Sequence, residues 1–527
     1  MTVVECVARA AERTPEKEAV VFGSRRMDYA QVERRSNRIA RWLRGQGLEK
    51  GDRVVVLMPN CLENVLFFLG IVKAGCIEAS FNPDARLETV AAACARLEPA
   101  ALVCSGLEPS KVKAVAAACP ALKVLMAPAS VLDALGAPNG ADFEAPDSES
   151  EAPFAETGDA SRWALIQYTS GSTGEPQGVV LTQKSFMEAS RARAALLGLD
   201  AGARILNVLK LSHSCGKSLL VDAFSLGATL VLAKGFVPPW SFLKTVLSER
   251  PTLITGPPYL FHHFVKLRKN AAVMEKLEAF LEILEVGLSR PPVSLLHEMR
   301  EAFPRATLVN RYGLTENAGA ASLMIHRPGE PFVKAGSCGR GTPASRLEIS
   351  PEESGDGKGD VKGELRIQGD LLMEGYWNDL TNGGGGDQGP RWLSTGDVAT
   401  VDEDGFFYIL GRKDNLIKVA GERIVPREIE SVILEIPRIR EAAVFGVQDG
   451  FMGEKIVACY RAPDGDREEE IKAHCRRRLP SYMVPHFYVE TTEDIADTAS
   501  GKISKKALRE RFFGSVKCEV RSAKCEV

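Results

Sequence analysis

The sequence predicts an α/β fold, with βα-layered subdomains over residues 1–411 and a small α+β domain over residues 412–527. Three observations lead there. A chain of 527 residues is too long for one compact core, so a large domain with at least one smaller one is expected. The first third alternates helical and strand-like patterns, the rhythm of a parallel sheet covered by helices. After residue 411 the style changes: "GRKDNLIKVAGERIVPREIESVILEIPRIREAAVFGVQD" reads strand, turn, helix, strand, which suits a small separate domain.

The elements follow in order. "YAQVERRSNRIARWLRGQGL" spaces its apolar residues as one helix face and stops at glycine. "GDRVVVLMPN" is a short β-branched run, and "ENVLFFLGIVKAG" returns to helix. Residues 138–160 are acidic and rich in Pro and Gly, hence a surface loop, and "DLTNGGGGDQGPRW" is a second one. The final "SVKCEVRSAKCEV" has no usable periodicity and reads as a frayed tail.

Composition narrows the function. Hydrophobic content of 45% and charged content of 26% suit a soluble globular protein. A net charge of −3 leaves no basic excess to neutralise phosphates, which argues against nucleic acid as the main partner. The N-terminal stretch lacks a secretory apolar segment, and the apolar run near "VLFFLGIVKAG" stops at Lys73, too short for a membrane span. Twelve cysteines without a C-x-x-C pair and seven histidines without ligand spacing suit reduced thiols in the cytoplasm and no structural zinc.

The stretch with most chemistry is "YTSGSTGEPQGVVLT", residues 168–182. Gly171 and Gly174 let consecutive backbone N–H groups turn toward a common point, and Thr169, Ser170, Ser172 and Thr173 add hydroxyl donors. Such a nest suits an anion with many oxygens, above all a polyphosphate. A competitor is "LSHSCGKS", residues 211–218, which ends in the Gly-Lys-Ser of a Walker A loop. Its first position is Leu211, where that loop requires glycine, so a Walker-type ATPase is a poor match.

The 168–182 stretch resembles the signature loop of the adenylate-forming enzymes: acyl-CoA synthetases, aryl-CoA ligases, adenylation domains and beetle luciferases. Further motifs follow in that family's order. "NRYGLTENAG" resembles its Tyr-Gly-x-Thr-Glu motif, residues 392–430 its ribose-binding and hinge region, and "TASGKISKKALR" its C-terminal lysine motif. The resemblance covers nearly the whole chain. It implies two domains joined by a hinge, and an enzyme that activates a carboxylic acid with Mg-ATP and passes the acyl group to the thiol of coenzyme A or a phosphopantetheine.

The resemblance also implies roles. Thr169, Ser170, Gly171, Ser172, Thr173 and Gly174 would hold the β- and γ-phosphates, Thr315 the α-phosphate, and Glu316 a magnesium ion, with Thr169 as a further metal candidate. Tyr312 and Gly313 would meet adenine, as would Gly287 in "LEVGLSR", where Leu288 and Ser289 replace the usual small residues. Asp397 would accept from the ribose hydroxyls, and Arg412 would reach ribose or phosphate. Lys502 would oppose the charge that builds as the carboxylate attacks the α-phosphate. Asp414 matches the hinge, about which the small domain would rotate to present Gly421 to the thiol.

Two departures stand out: Gln177 where the family usually has lysine, and Gln183 where it usually has histidine. Residues 207–224 occupy the place where family members line the acyl pocket; His213 aligns with a gating histidine or aromatic. No aspartate sits at the position where amino-acid-activating domains of the family pair with an α-ammonium, so an amino acid is not expected. Lys210-Leu211 resembles the benzoate-type CoA ligases. Lys217 would be costly to bury unpaired, so it points to solvent, the favoured reading, or meets an anionic or polar group of the substrate. The expected activity is an acid:CoA ligase acting on a small carboxylic acid. Loading of an acyl carrier protein is the alternative within the family, and a luciferase-like oxygenase is less favoured.

Overall fold

The structure, a computed structural model, describes residues 1–136, 140–154, 159–170, 176–235, 239–351, 361–381, 391–419, 422–449, 453–462, 465, 467–491, 495 and 505–513. The chain forms two compact units, one of residues 1–347 and 367–393, the other of residues 348–366 and 394–527. By packing, residues 348–366 and 394–411 therefore group with the C-terminal part.

The first unit carries two sheets among the described residues, and the α/β expectation holds. One has eight strands, in the order Gly375–Tyr376, Pro176–Thr182, Trp163–Ser170, Ile77–Phe81, Arg53–Leu57, Ala101–Cys104, Val124–Met126 and Gly140–Ala141. From Trp163–Ser170 onward every pairing is parallel, as the βα rhythm of the first third requires. The "GDRVVVLMPN" run supplies one central strand, and the next apolar run forms the helix Leu62–Lys73, buried along almost its whole length. Such all-round burial places that helix inside the core and not on its surface. Residues 138–160 are not wholly loop: Gly140–Ala141 extends this sheet, and Ala145–Ser148 makes a 3-10 turn with Pro146 buried.

The second sheet has nine strands among the described residues. Its parallel centre runs through Thr307–Tyr312, Ile283–Val286, Leu253–Gly256, Arg204–Asn207, Thr229–Leu232 and Glu18–Phe22. One hydrophobic core joins residues of both sheets, among them Val54, Val103, Leu165, Ile205 and Leu230, around the helices between them.

The second unit also carries two sheets. Arg346–Pro351, Val361–Gln368, Leu393–Val401 and Phe407–Arg412 form the first. The other contains Glu422–Ile424, Ile417–Val419, Gly453–Arg461, Glu441–Asp449 and Phe487–Glu490, with helices Pro426–Ile433 and Glu468–Arg478. Strand, turn, helix and strand after residue 411 appear in the order the sequence predicts. A 3-10 turn, Lys413–Asn415, connects the two sheets and contains Asp414.

Candidate active site

In open α/β sheets, ligands bind outside the carboxyl ends of the parallel strands. The candidate residues of the first unit cluster at such ends. Thr169 lies in the last turn of strand Trp163–Ser170, His213 follows Arg204–Asn207, Gly287 follows Ile283–Val286, and Tyr312 ends Thr307–Tyr312. Strand Pro176–Thr182 returns antiparallel to Trp163–Ser170, with Thr169 opposite Gln177 and Ser170 opposite Pro176. The hydroxyl-rich stretch thus joins two strands of a hairpin, and the β run after it replaces the helix that a Walker loop needs. Gly171, Ser172, Thr173 and Gly174 lie outside the described residues.

The Tyr312–Gly319 loop is tightly determined. A Cβ at Gly313 would stand 2.3 Å from the carbonyl carbon of Gly319, so no other residue fits there. The Asn317 side chain closes the loop by accepting from Leu314 N at 2.9 Å and Gly319 N at 3.2 Å. Gly319 itself takes a φ of +84°, which suits glycine. Thr315 and Glu316 are half-buried on the 3-10 turn this creates. Glu316 is fixed from both ends: its carbonyl accepts from Met373 N at 2.8 Å, and its Oε1 accepts from Tyr376 Oη at 3.2 Å. Thr315 Oγ1 shares a hydrogen bond of 3.2 Å with Ser214 Oγ. This contact brings the Thr-Glu motif against the first turn of helix Ser214–Leu226.

That helix explains the Gly-Lys-Ser that resembled a Walker ending. A Cβ at Gly216 would lie 2.2 Å from the carbonyl oxygen of Lys210, so glycine lets the 208–213 loop fold back on the helix. Asn207 Nδ2 donates to the Gly216 carbonyl, and Asn60 secures the same loop at Leu209 and Leu211. Ser218 donates to the Cys215 carbonyl. Lys217 corrects the expectation of a solvent-facing lysine. It is 0% exposed, its Nζ is 2.7 Å from Glu78 Oε1, and the ring of Phe68 lies 4.3 Å from the ammonium. Burial pushes its pKa down, and Glu78 opposes that shift. An internal partner satisfies the charge that the sequence alone left unassigned. His213, conversely, is exposed at the N-cap of the helix and not an interior histidine.

Beneath the loop lies a charged network that the sequence reading missed. Arg311, 3% exposed, donates through Nε to the Gly319 carbonyl and through Nη2 to Ser218 Oγ, and its Nη1 lies 3.6 Å from Glu285. Glu285 accepts from Arg193 Nε at 2.9 Å and Nη2 at 2.8 Å and from Thr255 Oγ1 at 2.7 Å. Arg193 also pairs with Asp222 on the Ser214 helix. Burial alone would raise the Glu285 pKa, but the guanidiniums of Arg193 and Arg311 and the hydrogen bonds from Arg193 and Thr255 hold it down at about 2. Gly287, two residues on, packs its α-carbon side against the Arg311 carbonyl, and Leu288 follows in the left-handed region with a φ of +65°.

Gln177 stands opposite Thr169 in the hairpin, and Gln183 stands at a helix start. Thr182 caps helix Gln183–Leu197 by accepting from Ser185 N at 3.1 Å, and Gln183 begins that helix, buried.

In the second unit, Asp397 lies within strand Leu393–Val401, directly opposite Arg412. It is 6% exposed, and its Oδ1 is 3.6 Å from Arg412 Nη1. Arg412 also donates to the Thr395 carbonyl at 2.8 Å, and Thr395 Oγ1 accepts from Asp397 N. Gly396, with a φ of +71°, leaves room for the Arg412 guanidinium. Gly421 and Lys502 lie outside the described residues, and of Asp414 only the backbone turn is described. Among the described residues, no three His, Cys, Asp or Glu are grouped to hold a metal ion. Nor is any described helix long and apolar enough to cross a membrane.

Comparison with known proteins agrees with this architecture. The AMP-binding enzyme family matches residues 7–377, and the AMP-binding enzyme C-terminal domain matches residues 428–502. The mitochondrial medium-chain acyl-CoA ligase ACSF2 of Rattus norvegicus is 30% identical, over 97% of this chain and 87% of its own. A long-chain-fatty-acid–CoA ligase of Bacillus subtilis is 29% identical, over 97% and 94%. The crystal structure of the anthranilate CoA ligase AuaEII with anthranoyl-AMP shares the fold with a TM-score of 0.83 at 23% identity, covering 97% of each chain. Matched over most of its length, the chain belongs to the AMP-binding enzyme family.

Proposed function

We propose that the protein is an ATP-dependent carboxylic acid:CoA ligase. In the first half-reaction a carboxylate oxygen bonds to the α-phosphorus of ATP and pyrophosphate leaves, giving an acyl-adenylate. In the second, the coenzyme A thiolate bonds to the acyl carbon and AMP leaves. The observation that carries this reading is the Ser214–Thr315 hydrogen bond at 3.2 Å. It sets the candidate acid-binding helix against the residue assigned to the α-phosphate, so one turn of chain serves both reactants. The ligase names of the relatives support the same activity.

Thr315 then donates to the α-phosphate, and the rigid loop keeps that hydroxyl from reorganising during attack. Tyr312 offers a ring for adenine beside Gly313 and Gly287, and Asp397 with Arg412 serves the ribose. The donor set suits magnesium, which takes few protein carboxylates and completes its shell with phosphate oxygens. Glu316, with Thr169 as a second oxygen, would hold it and thereby neutralise triphosphate charge. Lys502 acts in the first half-reaction, Gly421 in the second, and Asp414 is the hinge. The scattered reduced cysteines suit a cytoplasmic enzyme.

The test is a pyrophosphate-release panel over carboxylic acids, with and without coenzyme A, using the full chain. AMP and pyrophosphate are the expected products; ADP and phosphate would end the proposal. Thioester formed only on an added carrier protein would replace coenzyme A as acceptor. Lys502→Ala should lower adenylation by roughly 10²-fold yet turn over preformed acyl-adenylate and coenzyme A normally. Gly421→Leu should do the reverse, and Asp414→Pro should slow only thioester formation. Equal damage to both half-reactions by Lys502→Ala, in folded protein, removes the two-conformation mechanism.

A further inference from the structure

The helix that begins at Ser214 has an unusual next turn. Residues at i, i+3 and i+4 share one helix face, so Ser214, Lys217 and Ser218 look the same way. Ser214 meets Thr315. One turn on, Lys217 is sealed by Glu78 and Phe68, both fully buried, and Ser218 by Arg311. The following position on that face, Asp222, is held by Arg193. Lys217, Ser218 and Asp222 therefore each end in a charged or hydrogen-bonded partner with almost no exposure, and Val221 beside them on the same face is buried too. An alkyl chain that followed this face would meet the Lys217–Glu78 pair at its second turn. One helical turn is about 5.4 Å, about the span of a small ring or a few methylenes.

We infer that this enzyme activates short or compact acids, such as butanoate-sized or single-ring carboxylates, because the Lys217–Glu78 pair closes the acid site one helical turn from Thr315. The inference rests on the acid:CoA ligase reading and names its substrate class. A longer chain would have to part the two charges or lie elsewhere. Parting them would leave two buried ions, each without its main partner. Glu78 is under a second constraint: its Oε2 is buried with no partner, and Ser80 already donates to Oε1. Neither Lys217 nor Glu78 touches the reacting atoms, so they are specificity residues and not catalytic ones.

The experiment compares butanoate, benzoate, octanoate and dodecanoate in pyrophosphate release with the wild-type protein. It also titrates the matching acyl-sulfamoyl adenosines by calorimetry. The expected result is kcat/KM at least 10²-fold higher for butanoate or benzoate than for dodecanoate, with the same order in analogue affinity. The variant Glu78→Leu/Lys217→Met replaces the pair by apolar side chains of similar length. It should narrow that gap at least tenfold, mainly through KM for dodecanoate, with butanoate turnover kept. Dodecanoate used within tenfold of the best short acid by the wild type overturns the inference and leaves the ligase reading intact. A folded double variant with an unchanged gap overturns it as well. Should the double variant not fold, the wild-type profile and analogue affinities decide alone. No pyrophosphate from any acid, together with no analogue binding, overturns both readings.

Discussion

Two ion-paired regions of this chain treat charge in opposite ways. Under the Thr315 loop, Arg193, Asp222, Glu285 and Arg311 are buried together, two cations against two anions. At the candidate ribose position, Asp397 is buried but its partner Arg412 has a side chain 42% exposed. The first network cannot be screened by salt or relaxed by water, so it holds its neighbours in one arrangement and is intolerant of losing a member. The second pair is half in solvent, so its contribution to folding is small and its arginine is accessible to a ligand. Fixed charge under one set of candidate residues and accessible charge at another imply different costs of substitution.

The sharpest break of that contrast is Arg193→Met. It leaves Glu285 and Asp222 without their main cation and should cost about 3–5 kcal/mol in chemical denaturation. A loss below about 1 kcal/mol would mean water already reaches the network. Acid provides the next test. Glu285 is held at about 2 in the folded protein, below the ordinary carboxylate value. Its contribution is therefore complete above about pH 4.5 and lost as pH falls toward 2. Melting temperatures followed from pH 5 to pH 3 should decline, and Glu285→Gln, less stable at pH 7, should decline less steeply. An equal slope in both proteins would assign the acid sensitivity to other carboxylates.

A smaller effect is expected at Asn317, where Asn317→Ala removes the acceptor of two backbone N–H groups. Stability should fall by about 1–3 kcal/mol, and adenylation should fall with coenzyme A transfer from preformed adenylate unaffected. The least effect on folding belongs to Arg412→Ala, which should shift stability by under about 1 kcal/mol at any salt concentration. Its effect should appear instead as a raised KM for ATP. If Arg412→Ala destabilised as much as Arg193→Met, the contrast between buried and accessible charge would collapse.

Much of the arrangement was legible, and the part that was not has a physical reason. The α/β rhythm, the strand after the hydroxyl-rich loop and the strand–turn–helix–strand order after residue 411 follow from local periodicity. The buried network left a local trace as well. Arg193 in "ARAALL", Asp222 in "LLVDAF", Glu285 in "ILEVGL", Arg311 in "TLVNRYGL" and Glu78 in "CIEASF" are each the one charge in a mainly apolar run. Such residues are almost never buried unless paired. Pairing, however, joins positions 92 residues apart for Arg193 and Glu285 and 139 apart for Lys217 and Glu78. Only strand order brings them together, and a single sequence does not give it. For that reason Lys217 read as a solvent-facing lysine. Thr315 and Glu316 were recognisable from their motif, whereas Tyr376 and Ser214, which hold them, carry no motif.

The contact of Gly313 with Gly319, and of Gly216 with Lys210, sets terms for re-aiming the enzyme to other acids. A combinatorial library that randomises the whole 207–224 and 310–319 stretches would spend most of its members on clones unable to close these two turns. Gly216 and Gly313 are better treated as invariant anchors. Diversity is best concentrated at His213, which is exposed, and at Leu288, 37% exposed and already in a backbone conformation that glycine or asparagine would relax. Screening by coloured pyrophosphate assay would then sample side chains against a constant backbone frame.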